Sequence, residues 1–471
     1  MKKFLLLFLL TLPTVSAQTA TIDSNVTYQT IEGWGASTGY QSCYEGCPEV
    51  TPARADLFWS EKSGIGLQFI RTGNTPDGLI RDLPWLLEAQ ARGAKVFYSF
   101  LSPPHSMISS DKFASKKRGY LRPDKYADYA NYMVRSIQTL QSKGVKVYAV
   151  SVQNEPDTFA IWSPHGSACG VNRPTISQCL SYFVANHLGP AWTQAGLGNI
   201  PLGLPEDGGW FDHNFIDVCM ADSNCAKYIS FIPSHDYDGA SPTWGFTGAG
   251  SYCCAAPAPG PASVGSRPLW MTEVNGGFSS TGCSGLLWKF DPGLPDALVW
   301  AHNLWGFLTL ANVQSYMYYN LWGTLDEGHE CNDGLTNSSF TPAKRYYVFG
   351  NWSKFVRSGW LRIEINNPVP GVYLSAFKAP DSSALAIVAV NSNRSPQPLR
   401  FLFQGLQPSS VTPYITDATR NLTAQPPILA TGRSLTATLP PLSVTSYTAT
   451  VASSSTSRKQ PSPRRQLPSD K

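Results

Sequence analysis

From residue 30 to about 320 the chain alternates between short apolar, β-rich runs and stretches with helical spacing. The runs are TIEGWGAS (30–37), LQFIRTG (67–73), AKVFYSF (94–100), VKVYAVSV (145–152), IPLGLPE (200–206), YISFIPSH (228–235), RPLWMTE (267–273) and VQSYMYYN (313–320). Between them lie segments such as DKYADYANYMVRSIQTLQSKG (124–144), where Tyr126, Tyr129, Tyr132, Met133, Ile137 and Leu140 fall on one helical face and Gly144 ends the helix. Eight such units over about 290 residues predict an α/β fold, a (β/α)8 barrel. A doubly wound sheet is the alternative, but no Gly-rich phosphate loop follows the first strand.

After residue 355 the helical spacing disappears. LRIEI, GVYLSAFKA, ALAIVAVNS, PLRFLFQGL, TPYITDA, SLTATLP and SVTSYTATV are short alternating runs separated by turn signals, the texture of a β-sandwich. The early run TATIDSNVTY (19–28) has the same texture and is expected to join it. The predicted organisation is therefore a leader over 1–17, a sandwich strand over 18–29, a barrel over 30–354, a sandwich over 355–452 and a tail over 453–471.

The start, MKKFLLLFLLTLPTVSAQTA, places two lysines before an apolar run and a small-residue site at Val15-Ser16-Ala17. This is the pattern of a secretory signal peptide cut after Ala17. It predicts a secreted, extracellular or periplasmic protein without a membrane span. Ten cysteines suit an oxidising compartment, and local pairs (169 with 179, 219 with 225) fit short loops. No CxxC pair recurs, so no metal site is expected, nor any cofactor. Five Asn-X-Ser/Thr sequons begin at Asn25, Asn337, Asn351, Asn393 and Asn421.

The formal charge of +4 is concentrated at the ends. The Ser/Pro/Arg-rich tail carries Arg458, Lys459, Arg464, Arg465 and Lys471 against Asp470, and the leader carries Lys2 and Lys3. The body between them is slightly acidic, which argues against a nucleic-acid face. Low charge (14%) with abundant aromatics (12%) suits a neutral polar ligand such as a sugar.

A barrel places its chemistry at the carboxyl ends of its strands. Those ends offer Trp34, Arg71, the Ser102-Pro103-Pro104-His105 stretch, Asn154-Glu155, Glu206 and Asp207, His235 and Tyr237, Glu273, and Tyr319, Asn320 and Trp322. Carboxylates, amides and aromatics on one rim describe a sugar cleft. Cleaving a glycosidic bond needs two carboxyl groups, one protonated and one ionised. Glu155 and Glu273 end strands that face each other across the barrel mouth, and Asn154 stands ready for a sugar 2-hydroxyl. Arg71 reads equally as a structural counter-ion and Trp34 equally as core packing. Glu206 and Asp207 read as structural, or as substrate-binding.

At these residues the chain resembles glycoside hydrolase family 30, within the clan of retaining (β/α)8-barrel glycosidases. YAVSVQNEPD (148–157) is similar to that family's acid/base motif and LWMTEV (269–274) to its nucleophile motif. GWG (33–35), FLSPPHSM (100–107), SHDYDG (234–239), NWSKFVRSGWLRI (351–363) and LPPLSVTSYT (439–448) match in order. The resemblance implies a TIM barrel with an attached side β-sandwich built from both ends of the mature chain. It implies Glu155 as acid/base and Glu273 as nucleophile, with Tyr237 orienting the nucleophile and Arg71 keeping it ionised. Asn154, Tyr237, Arg71, Trp34, His235 and Trp322 are the expected substrate-binding residues.

Within the family the texture is nearest that of bacterial glucuronoxylan endo-1,4-β-xylanases, carried by KYADYANYMVRSIQTLQSKGVKVYAVSVQNEPD (125–157). The expected partner is a polysaccharide, and the expected state a monomer. Two departures stand out. Leu101 occupies the place of a tryptophan implied for the strand-3 motif. The strand-8 loop, YYNLWGTLDEGHE, lacks the arginine implied to grip a glucuronate branch and carries acids instead. Activity on β-1,6-galactan, β-1,6-glucan or glucosylceramide is the alternative within the family. A carbohydrate-binding protein without catalysis is the alternative outside it.

Overall fold

The structure, a computed structural model, describes residues 17–38, 47–74, 80–108, 121–156, 176–210, 214–237, 260–275, 289–326 and 329–451. The leader up to Ser16 and the basic tail lie outside the described residues. No described helix is long and apolar enough to cross a membrane.

The first described strand, β1 (Gln18–Thr30), belongs to the sandwich. The barrel follows as β2 (Gly33–Ser37), β3 (Phe69–Gly73), β4 (Lys95–Ser99), β5 (Val147–Ser151), β6 (Leu202–Gly203), β7 (Ile229–His235), β8 (Leu269–Glu273) and β9 (Ser315–Trp322). Neighbours pair in parallel from β2 to β8, and β9 pairs with both β8 and β2, which closes the ring. The run at 200–206 contributes only the two residues of β6, and cross-strand pairing there is correspondingly short. Among the helices outside, Tyr126–Ser142 buries Tyr126, Tyr129, Met133, Ile137 and Leu140, as its spacing requires.

Alternation along the strands sorts the barrel interior into two layers. Phe69, Phe97, Ala149, Phe231, Trp270 and Met317 form an apolar plug inside the ring. Trp270 sits at its centre, 5.4 Å from the Phe69 ring, 5.7 Å from Phe97 and 4.2 Å from Phe231. Large residues on some strands demand small ones on others. Gly35 and Gly203 meet that demand: a Cβ on Gly35 would lie 2.6 Å from the Phe69 Cβ, and one on Gly203 2.5 Å from the Phe231 ring. Two residues further along β3, β4, β5 and β9, the same inward face carries Arg71, Ser99, Ser151 and Tyr319. The inward face therefore turns from apolar to polar at the carboxyl rim.

The second sheet has ten strands and takes in both ends of the described chain. β1 pairs antiparallel with Leu361–Ile365 and parallel with Gln397–Gln404. The strand Ala384–Asn391 shows how this unit is fastened. Its Leu385, Ile387 and Ala389 enter the sandwich core, while Ala386, Val388 and Val390 pack into the barrel's own shell. A strand apolar on both faces is what a layer between two cores requires. Polar ties reinforce it. Trp305 Nε1 donates to the Leu374 carbonyl at 2.8 Å, and Asn351 Nδ2 donates to Ser446 Oγ at 2.8 Å. Asn351 is fully buried and also accepts from Thr416 Oγ1, so its sequon is closed to glycosylation in the folded protein.

Cys219 and Cys225 form the disulfide expected from their spacing, with a Cα–Cα distance of 5.3 Å. Cys179 is also disulfide-bonded, while Cys169 lies outside the described residues.

Gly35→Ala is expected to cost about 1–3 kcal/mol, the usual penalty for an added methyl that a packed core cannot absorb. Urea unfolding monitored by tryptophan fluorescence measures it. A neutral result would mean that the plug yields around Phe69.

Candidate active site

Six of the eight residues singled out from the sequence converge at the barrel mouth. Arg71 is fully buried at its centre. Its Nη1 donates to Glu273 Oε2 at 2.5 Å, its Nε to Glu206 Oε1 at 3.0 Å and its Nη2 to Asn154 Oδ1 at 2.7 Å. His235, also fully buried, places Nδ1 3.0 Å from Glu155 Oε1 and Nε2 3.5 Å from Glu206 Oε1. Tyr237 donates its hydroxyl to Glu273 Oε1 at 3.1 Å. A carboxylate oxygen of Glu155 and one of Glu273 lie within 4.8 Å of each other, with a His235 ring nitrogen equally close. That spacing falls near the 5–5.5 Å of carboxyl pairs that work by double displacement, and well short of the 6.5–9.5 Å that leaves room for a water.

The backbone aims these groups. Glu155 has φ +42° and Glu206 φ +64°, both in the left-handed region where a side chain is strained by about 1–3 kcal/mol. The strain is held by a chain of rim hydrogen bonds. Glu155 N–H donates to the Glu206 carbonyl at 2.8 Å, Glu206 N–H to Pro233 at 2.9 Å and His235 N–H to Asp207 at 2.8 Å. The strand ends are thereby locked to one another before any side chain is considered.

The charges interlock in the same way. Burial opposes the Glu206 carboxylate, but the charges of Arg71 and His235 and hydrogen bonds from His235 and Ser151 win, and its pKa falls to about 2. Burial likewise opposes a charged His235, yet Glu273, Glu155 and Glu206 surround it and raise its pKa to about 10. It is an imidazolium at neutral pH. Burial pushes Glu273 up from the usual carboxylate range, and the cations His235 and Arg71 work against that rise. Two cations thus face three carboxyl groups, so the cluster is neutral when one carboxyl keeps its proton.

Two expected substrate-binding residues are corrected. Trp34 is 1% exposed and donates its indole N–H to the Val356 carbonyl at 2.7 Å. Trp322 is also 1% exposed and packs on Trp85 with ring centroids 4.6 Å apart, next to Phe340 at 5.6 Å. Both belong to the shell between strands and helices. The reason is strand parity: the inward residues of β2 are Gly33, Gly35 and Ser37, and those of β9 include Met317 and Tyr319. Trp34 and Trp322 have the opposite parity.

Reading strand tips one by one also missed one contributor, Ser99, and left the part of another, Glu206, open. Ser99 donates its hydroxyl to Glu206 Oε2, and Glu206 itself bonds to the partners of both Glu155 and Glu273. The inward parity of Phe97 and Ser99 was the available signal for the serine. The signal for Glu206 was weaker, because a two-residue strand fixes no parity. Asp207 bridges to Ser234 through the backbone. Leu101 is buried, its N–H bonded to Asn74 Oδ1 at 2.7 Å.

Comparison with known proteins agrees with this geometry. The family model described as the glycosyl hydrolase family 30 TIM-barrel domain matches residues 84–247. The glucuronoxylanase XynC of Bacillus subtilis is 27% identical over 443 residues, which cover 92% of each chain. The chain thus carries a glycoside hydrolase family 30 match within its barrel. A family 30 endoxylanase from Clostridium papyrosolvens superposes with a TM-score of 0.72 at 25% identity, over 92% of this chain and all of that one. A family 30 subfamily 8 xylanase from Clostridium acetobutylicum gives 0.72 at 26% identity, over 92% of this chain and 99% of the other. These similarities indicate an O-glycosyl hydrolase, and a retaining, double-displacement mechanism is typical of that family.

The shifts of His235 and Glu206 give a signed pH prediction. His235 is raised from 6.5 to about 10, so its contribution to stability is complete below pH 6.5 and is lost as pH climbs toward 10. Glu206 is lowered from 4.5 to about 2, so its contribution is complete above pH 4.5 and is lost as pH falls toward 2. Thermal unfolding from pH 6.5 to 10 should show the parent losing stability faster than His235→Gln. Parallel curves would mean that His235 is not charged in the folded protein.

Proposed function

We propose that this glycosidase is a secreted endo-1,4-β-xylanase that cuts the backbone of xylan, with Glu155 as acid/base and Glu273 as nucleophile. The observation that carries the roles is the carboxylate pair within 4.8 Å, one partner held by Arg71 and Tyr237 and the other by His235. Xylan is supported by the full-length similarity to a glucuronoxylanase and to two solved xylanases.

In the first step Glu155 donates its proton to the leaving glycosidic oxygen while a Glu273 oxygen attacks the anomeric carbon, giving a covalent glycosyl-enzyme. In the second, Glu155 takes a proton from water, which attacks the same carbon and releases Glu273. Each residue's surroundings suit its role. Glu273 has both oxygens engaged by donors, Arg71 and Tyr237, which orient it as a carboxylate. Glu155 is the more open of the two, with 17% of its side chain exposed against 9% for Glu273. Asn154 has its amide oxygen on Arg71, which assigns the donating end of the amide to the sugar 2-hydroxyl.

The strand-8 loop bears on specificity. Leu325–Asp326 pairs with His329–Glu330, and Glu330 accepts from the Ser338 hydroxyl and N–H. This stretch presents acids and no arginine. A glucuronate branch would meet like charge there, so cleavage should not require one. The leader and the disulfide fit export to an oxidising compartment.

The test is product analysis on glucuronoxylan, unbranched xylan, β-1,6-galactan, β-1,6-glucan and glucosylceramide. Xylo-oligosaccharides from both xylans at comparable rates are expected. Cleavage of a 1,6-linked glycan with silence on xylan would overturn the substrate and keep the mechanism. Glu273→Gln should abolish turnover. Glu155→Gln should lose about 10²–10⁴-fold on xylan and much less on an aryl glycoside with a good leaving group, which needs no acid.

A further inference from the structure

We infer that Glu206 is a positioning residue that governs both catalytic carboxyls together, Glu273 through Arg71 and Glu155 through His235. The inference rests on the roles proposed above. A carboxylate needed only to neutralise Arg71 would stop at one partner. Glu206 is instead fully buried and shares one oxygen between the two cations of the site. Oε1 lies 3.0 Å from Arg71 and 3.5 Å from His235 Nε2, while Oε2 accepts from the Ser99 hydroxyl. The far side of each cation is a catalytic group: Arg71 Nη1 holds Glu273 at 2.5 Å, and His235 Nδ1 holds Glu155 at 3.0 Å. A third link runs through the backbone. The Glu206 carbonyl accepts the Glu155 N–H at 2.8 Å, so the left-handed turns that aim both side chains brace each other.

This arrangement makes the charge of Glu206, and not only its shape, matter. The groups that face His235 are Arg71 from β3, Glu155 beyond β5, Glu206 beyond β6, Glu273 from β8 and Tyr237 beyond β7. Those that face Glu206 are Arg71, Ser99, Ser151 and His235. Removing the negative charge of Glu206 leaves Glu273 as the one carboxylate among the described partners of Arg71, which makes it a poorer nucleophile. It also leaves His235 one carboxylate fewer, so His235 gives up its proton at lower pH. Once neutral, the imidazole no longer holds Glu155 as a charged donor.

The test is the pH dependence of kcat/KM for Glu206→Gln on an unactivated oligosaccharide of whichever glycan the parent cleaves, whose leaving group needs the acid. The alkaline limb is expected to move toward acid by about one pH unit or more, and kcat to fall roughly 10–100-fold with KM within about threefold, because ground-state contacts survive. Ser99→Ala keeps the charge and removes one hydroxyl; kcat should fall a few-fold on unshifted pH limbs. If Glu206→Gln shows the parent's limbs, and a kcat reduced only by the fraction unfolded, the inference fails. If Glu206→Gln does not fold and Ser99→Ala is kinetically silent, it also fails. Glu273→Gln in the same series separates the two layers of argument. Retained turnover there sinks the catalytic roles themselves, whereas a dead Glu273→Gln beside a parent-like Glu206→Gln sinks only the role of Glu206.

Discussion

A guanidinium with no solvent exposure can sit at the barrel mouth only while its donors face acceptors on every side. Arg71 meets that condition with Glu206, Glu273 and Asn154, which arrive from three different strand ends. The constraint runs both ways. Withdrawing either carboxylate breaks a buried ion pair, which typically costs about 3–5 kcal/mol. The same contacts put two carboxyl groups at a spacing suited to double displacement. Stability of the rim and geometry of the chemistry therefore rest on one set of hydrogen bonds.

Everything beneath the rim serves to keep it in place. The apolar plug around Trp270 fills the ring, and the small residues Gly35, Ala149 and Gly203 let the large ones in. Above it the inward positions become polar, so the buried charges rest on a floor that does not yield. The side sheet extends this support from outside. Ala384–Asn391 belongs to two cores at once, and Asn351 ties a barrel-flanking helix to the sandwich through three hydrogen bonds. The barrel shell is thus partly built by the sandwich.

Periodicity was enough to read most of this architecture. The alternation of short β-rich runs and amphipathic stretches specifies a barrel, and the loss of helical spacing after residue 355 marks the sandwich. The residues ending the strands gave Glu155, Glu273, Arg71, His235, Tyr237 and Asn154, because a buried strand that ends in a charged or amide group has little reason to do so outside a site. Trp34 and Trp322 were misread for a physical reason: nearness to a strand end does not say which way a side chain points, and both have outward parity. Glu206 was ambiguous since its strand is only two residues long and its preceding turn follows no period. Asn351 carries a sequon that the tertiary structure buries, and no local pattern records burial between two domains.

The central claim is that the paired carboxyls act in sequence through a covalent intermediate on Glu273. Incubation with an activated 2-deoxy-2-fluoro glycoside of the cleaved sugar slows the second step more than the first, so the intermediate accumulates. Peptide mass spectrometry then locates it. The account predicts a stoichiometric adduct on the peptide containing Glu273, with enzyme activity lost in proportion. An adduct on Glu155 or Glu206, or inversion at the anomeric carbon with no adduct at all, would contradict it.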